Sequence, residues 1–293
     1  MMDRLYHQGC PFDERVIPAA VAQMIDDEEW LHDTSAPVFW LRERGAPWGN
    51  AAYIASKSGN WTLMKSLVEA GASCDYFSSL VIASSGDLGL LKWALRHGCL
   101  LRTQMVVIAA RCGHRHVLRF LMERFVTQPL EFDESEMFPA EVAAGAARGG
   151  HFNLLIWLVK TLGAQLDYLT VVSACEAERK DIVSWCIDQG VELTIETSVA
   201  ACQTGRLDLV EMVIGAGAPY KDARVFSAAS ESGSGEVIEW AMGANIPTKM
   251  LIKDGSRFGM SAHQKTLSAM KWLRERVKTP GFFESRRKIP NEK

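Results

Sequence analysis

The chain has 293 residues, of which 48% are hydrophobic, and a formal charge of −3. That is ample material for a core, and the near-balance of charge argues against nucleic acid as the partner of the whole surface. No stretch approaches the roughly 18 apolar residues of a membrane helix, and the N-terminus has no apolar run like a signal peptide, so a soluble, intracellular and cytoplasmic protein is expected.

The seven cysteines are odd in number and scattered, without a C-x-x-C pair. That usage reads as separate thiols in a reducing compartment, not as a disulfide framework. Charge is uneven at the ends. Residues 1–36 carry eight acids against two bases, and residues 271–293 carry eight bases against three acids. Such ends are usually solvated, although they can also engage partners.

In chain order, residues 1–36 read as a degenerate N-terminal cap. Tyr6-His7-Gln8-Gly9-Cys10-Pro11 is similar to the later Arg42-Glu43-Arg44-Gly45-Ala46-Pro47. Val21 to Trp30 is expected as a first helix, and Pro37-Val38-Phe39-Trp40-Leu41 opens a second. From here a repeat array is expected over 37–247. A glycine precedes each apolar pair by four residues, at Gly59, Gly86, Gly113, Gly150, Gly205 and Gly233, with Glu178 in the same place. The steps from Gly59 to Gly86 and from Gly86 to Gly113 are each 27 residues. A fixed period in this range marks a solenoid of stacked supersecondary units.

Each unit has two halves. Before the glycine lie small side chains: Ala109-Ala110, Ala146-Ala147, Ala174-Cys175, Ala201-Cys202 and Ala229-Ser230. Small residues let neighbouring helices approach closely, and the apolar positions do not alternate as in a strand. After the glycine come an acid (Asp181, Asp208, Glu236), an apolar pair, a variable residue, an aromatic and a closing Gly71, Gly98, Gly190 or Gly217. Acids favour a helix start, and glycine favours a helix end. Trp40, Trp93, Trp157, Trp185, Trp240 and Trp272 share the aromatic column with Phe120 and Met212. Because phenylalanine and methionine substitute there, the column is expected to face the core.

The rhythm breaks between Gly113 and Gly150, which are 37 residues apart. The excess falls at 125–138, where four acids and no base suggest a projecting acidic loop. Met270-Lys271-Trp272-Leu273 restores the signature, so 248–277 is expected as a C-terminal capping repeat. Residues 278–293 lack periodicity and are expected to form a disordered basic tail.

The small pair, two residues, the turn glycine, often histidine or aspartate, then the apolar pair and the closing Gly-Ala together resemble the ankyrin repeat. Ala109-Ala110-Arg111-Cys112-Gly113-His114-Arg115-His116-Val117-Leu118 and Ala201-Cys202-Gln203-Thr204-Gly205-Arg206-Leu207-Asp208-Leu209-Val210 carry the likeness best. The usual ankyrin period is about 33 residues with a Thr-Pro-Leu-His-type start. Here the period is shorter and that tetrapeptide is absent. The chain thus looks like the divergent short-repeat arrays of large DNA viruses and some protists. The resemblance implies an all-α solenoid of eight or nine helix-turn-helix units with short or absent β-hairpin fingers. It also implies protein binding on a concave face lined by the first helices.

Chemistry-bearing patterns are weak beside this. Cys112-Gly113-His114-Arg115-His116 has zinc-like donors, but a second cluster to complete four ligands is missing. Cys175 and Cys202 lie one period apart, in register with packing, where a catalytic thiol would be expected once. Gly145 to Gly150 and Ser232 to Gly235 lack the strand a phosphate loop requires. No catalytic, cofactor or metal residue is therefore assigned, and no enzyme activity is expected. The column two residues before the turn glycine varies most: Lys57, Ser84, Arg111, Arg148, Glu176, Gln203 and Glu231. Lys57, Arg111, Arg148, Glu176, Gln203 and Glu231 are the candidate partner-binding residues, basic toward the N-terminal half and acidic toward the C-terminal half. A monomeric scaffold or adaptor for a protein partner is expected. The alternative is a nucleic-acid-associated protein that uses the basic tail.

Overall fold

Every described helix is short, between 7 and 13 residues. Helices of this length are marginal alone in water and must gain their stability from packing. The computed structural model describes residues 12–26, 36–127, 139–244 and 246. The ends of the expected N-terminal cap, residues 128–138 of the acidic insertion, the C-terminal capping repeat at 248–277 and the tail at 278–293 lie outside the described residues.

The chain divides into two compact units, Met1–Met137 and Phe138–Lys293, where a single array was expected. The division falls at the irregular step in the glycine period. Among the described residues of the first unit are four helix pairs: α1 (Val16–Asp26) with α2 (Ala36–Glu43), α3 (Ala51–Lys57) with α4 (Trp61–Glu69), α5 (Tyr76–Ser85) with α6 (Leu88–Arg96), and α7 (Gln104–Arg111) with α8 (Arg115–Thr127). The second unit holds α9 (Pro139–Arg148) with α10 (Phe152–Leu162), α11 (Tyr168–Glu176) with α12 (Lys180–Asp188), α13 (Ile195–Gln203) with α14 (Leu207–Gly215), and α15 (Ala223–Ser232) with α16 (Gly235–Gly243). Within each unit the first helices of successive pairs stack on one another, α1 on α3, α5 and α7, and α9 on α11, α13 and α15. No strand occurs among the described residues.

The stacking follows from the small-residue columns. Ala109 and Ala110, Ala146 and Ala147, Ala174 and Cys175, and Ala201 and Cys202 are all fully buried. The buried hydroxyls among them close on their own helix: Ser56 Oγ donates to Ala52 O at 2.7 Å and Ser230 Oγ to Phe226 O at 2.9 Å. Ser198 Oγ instead reaches Pro219 O at 2.6 Å, in the link to the next pair. A buried hydroxyl thus keeps a partner, as it must to avoid a desolvation cost.

Both helices of a pair end in the same motif. At the central turn, the N–H of His114 donates to Ala109 O, that of His151 to Ala146 O and that of Arg179 to Ala174 O, all at 2.9 Å. This six-to-one bond, with the five-to-two bond inside it, requires a left-handed residue between them. Gly113 and Gly150 supply it at φ +78° and +72°; Gly86, also left-handed at φ +76°, would with a Cβ stand 2.6 Å from the His114 ring of the next pair. Glu178 adopts the same region at φ +54°, the one described non-glycine residue to do so.

Two expectations about boundaries are corrected. The first helix begins at Val16, not Val21; Pro18 is compatible with a first helical turn, where its missing N–H has no partner to lose. At the other end of the first unit, α8 continues to Thr127, so the insertion expected at 125–138 starts as helix. Phe125 lies one turn beyond Leu121 on the stripe with Val117 and Leu118, and all four are buried.

The cysteine reading is corrected as well. Cys74 and Cys99 form a disulfide, with Cα atoms 5.0 Å apart and a sequence separation of 25. It joins the link before α5 to the link before α7. The argument from cysteine spacing to a reducing compartment therefore loses its basis.

Gly86→Ala is expected to lower stability by roughly 2–3 kcal/mol in urea unfolding, from left-handed strain plus the displaced histidine. Glu178→Gly is expected to stay within about 1 kcal/mol of the parent, because relief of strain offsets added chain entropy. Equal losses at both sites would remove this account of the turn. Reduction of the chain, or Cys74→Ser, is expected to cost about 3 kcal/mol for a closed loop of this length. Alkylation before and after reduction should differ by two thiols.

Candidate binding face

The first helices bury one side against their neighbours and leave another uncovered. Aligned on the turn residue, the uncovered positions lie nine, six and two residues before it. That spacing of three and four puts them on one face of a helix. In the first unit the face reads Asn50, Tyr53 and Lys57 on α3, Phe77, Leu80 and Ser84 on α5, and Gln104, Val107 and Arg111 on α7. In the second it reads Glu141, Ala144 and Arg148 on α9, Leu169, Val172 and Glu176 on α11, Glu196, Val199 and Gln203 on α13, and Arg224, Ser227 and Glu231 on α15. All of these residues are exposed or half-buried.

The six candidates from the sequence all fall in the column nearest the turn. Lys57, Arg111, Arg148, Glu176 and Gln203 are exposed, and Glu231 is half-buried. Lys57 and Arg111 belong to the first unit and the others to the second. In the second unit the charges meet across neighbouring helices. Arg148 Nη2 lies 2.9 Å from Glu176 Oε2, and Glu231 accepts from Ser227 Oγ at 3.1 Å. Nine residues before the turn, Arg224 Nη1 lies 3.1 Å from Glu196 Oε1. The second unit thus answers much of its own charge, whereas the columns described on α3, α5 and α7 hold no acid.

The sequence reading missed the apolar middle of this face, Tyr53, Leu80 and Val107, and the exposed aromatic pair Tyr76 and Phe77 at the start of α5. The signal was present. Tyr53, Leu80 and Val107 each stand four residues before the varying column, and Phe77 stands three before Leu80. The Tyr53 and Phe77 ring centroids are 5.6 Å apart, and those of Tyr76 and Phe77 are 5.4 Å apart.

The turns that follow the first helices carry a second network, which ties pairs together. His114 Nε2–H donates to Ser84 O at 2.9 Å and His116 Nε2–H to Gly86 O at 2.7 Å. Both histidines of the zinc-like stretch are therefore engaged with backbone. Arg179 donates to Gly150 O and pairs with Asp181 at 2.7 Å. Asp208 receives Arg206 at 2.9 Å and, from the preceding pair, Lys180 at 3.3 Å. These hydrogen bonds, chiefly that from Arg206, hold the Asp208 carboxyl down at about 2.

The candidate thiols are core residues. Cys175, Cys186 and Cys202 are fully buried, and burial pushes each thiol up to about 12. At neutral pH they are protonated and unsuited to nucleophilic attack.

The tryptophan column differs from expectation. Trp40, Trp93, Trp157, Trp185 and Trp240 are half-buried, not enclosed. They lie on the second helices in contact with residues of their own and neighbouring pairs. The Lys65 ammonium lies 5.6 Å from the Trp93 ring centre, and Lys92 lies 5.2 Å from that of Phe120 in the following pair. Phe152 meets Trp185 edge-on at 5.6 Å. The smaller Met212 fits the same place because a half-buried position has no fixed volume to fill.

No protein-family model matches the chain, and no curated protein matches it. Among the described residues no helix is long and apolar enough to cross a membrane.

Because Trp185 is half-buried, Trp185→Ala is expected to cost about 1–2 kcal/mol in urea unfolding, below the 3–5 kcal/mol of an enclosed aromatic. A loss in the upper range would restore the core assignment.

Proposed function

We propose that the chain is a divergent, short-fingered ankyrin-type solenoid that acts as a non-catalytic scaffold or adaptor for a protein partner, docked on the uncovered face of the first helices. One observation carries the reading. Apart from Pro18, Met24 and Met105, the buried positions described on the first helices hold small or β-branched residues, while the three uncovered columns range over aromatic, aliphatic, basic, acidic and amide side chains. Packing accounts for the first set and leaves the second free to vary.

The arrangement suits recognition physically. Short helices locked by two termini and a stacked side present side chains at low ordering cost. Aromatic and arginine side chains, the usual energetic anchors of interfaces, occur on this face in Tyr53, Phe77, Arg111, Arg148 and Arg224. The 27-residue period and the strand-free links described between pairs support a short-fingered variant.

The test is affinity capture from the native source with paired variants. Arg111→Glu combined with Arg148→Glu is expected to reduce retained partner by roughly tenfold or more. The control Glu211→Lys, on an exposed part of a second helix, should retain it. Circular dichroism melts of both variants should stay close to the parent, since an exposed pair such as Arg148–Glu176 is worth about 0–1 kcal/mol. Partner retention unchanged by the double charge reversal would remove the proposed face.

A further inference from the structure

We infer that the chain associates with a second copy of itself. A basic stripe on the second helices of one copy's first unit docks on an acidic stripe on the second helices of the other copy's second unit. This surface is separate from the first-helix face, and the inference stands independently of the partner reading above. Counted from the turn residue, second-helix positions three, six and ten residues after it share one helical face. None of them is buried on the helices compared here, α4, α6, α8, α12, α14 and α16. On α12, α14 and α16 the stripe holds six acids and no base: Asp181, Asp188, Asp208, Glu211, Glu236 and Glu239. On α4, α6 and α8 the same stripe holds Lys65, Lys92, Arg96 and Arg119 against Glu69 and Glu123.

Contacts between pairs make each stripe continuous. The Lys65 ammonium lies 5.6 Å from the Trp93 ring centre of the next pair, and Lys92 lies 5.2 Å from that of Phe120 in the pair after it. In the second unit Lys180 of α12 reaches Asp208 of α14 at 3.3 Å, and α14 packs on α16. Asp181 and Asp208 are answered from the turns by Arg179 and Arg206. Asp188, Glu211 and Glu236 are exposed and point the stripe's charge outward.

Charge selects the occupant. A surface of one sign attracts a surface of the other and rejects its like. The complement of the acidic stripe stands on the same chain, among Lys65, Lys92, Arg96 and Arg119. Both stripes recur once per stacked pair, so a row of cations meets a row of carboxylates at a matching step. Half-buried aromatics follow both rows at the next helix position, Trp93 and Phe120 after the bases, Trp185 and Trp240 near the acids. They supply apolar area within a charged contact. Because the two stripes differ, the contact joins unlike surfaces of the two copies.

The experiment is sedimentation velocity of the full chain over a concentration series. The chain should self-associate at about 0.05 M salt, and its dissociation constant should rise roughly tenfold or more at about 0.5 M. Lys92→Glu with Arg119→Glu turns the basic stripe acidic, and this variant should sediment as a monomer. Asp188→Lys with Glu211→Lys and Glu236→Lys reverses the exposed acids, and it should be monomeric as well. All five replaced side chains are exposed, so the melts of both variants should stay close to the parent's. An equal mixture of the two variants should associate again, since each carries the stripe that the other has lost. A parent that is monomeric throughout, association untouched by salt or by either variant, or a mixture that stays monomeric would overturn the inference. Association lost on removal of residues 278–293 would name the basic tail as the occupant and overturn it too. Each of these outcomes leaves Arg111 and Arg148 unaltered, so the partner reading stands or falls by capture alone.

Discussion

Close approach of the first helices is the constraint from which the other features follow. Alanine, serine and cysteine fill the two columns before each turn almost throughout, and their small volumes bring neighbouring backbones together. Apolar area lost there drives the stacking, and short helices that would fray alone are held by it. Ile82 is the large exception, in α5, and it too is fully enclosed. Stacking consumes one side of each first helix and leaves the side at three-and-four spacing uncovered. The second helices are left with half-buried tryptophans.

The turns couple neighbouring pairs in a second way. Asn60 and Asp87 cap the helix that follows them, accepting the N–H of Leu63 at 3.0 Å and of Leu90 at 2.9 Å. Further along, His114, Arg179 and Arg206 take that place. Of these, Arg179 and Arg206 make no side-chain cap bond. All three side chains reach back to the preceding pair, His114 to Ser84 O, Arg179 to Gly150 O and Arg206 to the Glu178 carboxylate. A local stabilisation is exchanged for one between repeats, and this suits a fold in which no pair can stand alone.

The two units use one scaffold with different electrostatics. In the second, arginine and glutamate meet across adjacent helices of the uncovered face. In the first, the same columns on α3, α5 and α7 hold Tyr53, Phe77, lysine and arginine, and no acid. Identical backbone roles therefore leave different recognition chemistry. Such divergence is open to a repeat fold because exposed columns carry little of its stability.

The all-helical character, the pairing of helices, the turn positions and the small buried columns were legible in the sequence, because each depends on local spacing or on residues within a few positions. Gly59, Gly86 and Gly113 announced the period, and Ala109-Ala110 or Ala174-Cys175 announced the buried side. What remained hidden depends on neighbours remote in sequence. Half-burial of Trp185 follows from where the next pair ends. The Cys74–Cys99 bond follows from two links brought together by stacking. The pairing of Arg148 with Glu176 requires adjacent helices in register. The division into two units, and the meeting of Tyr53 with Phe77, were likewise decided by the tertiary structure, since periodicity specifies which face a side chain occupies but not what stands opposite it.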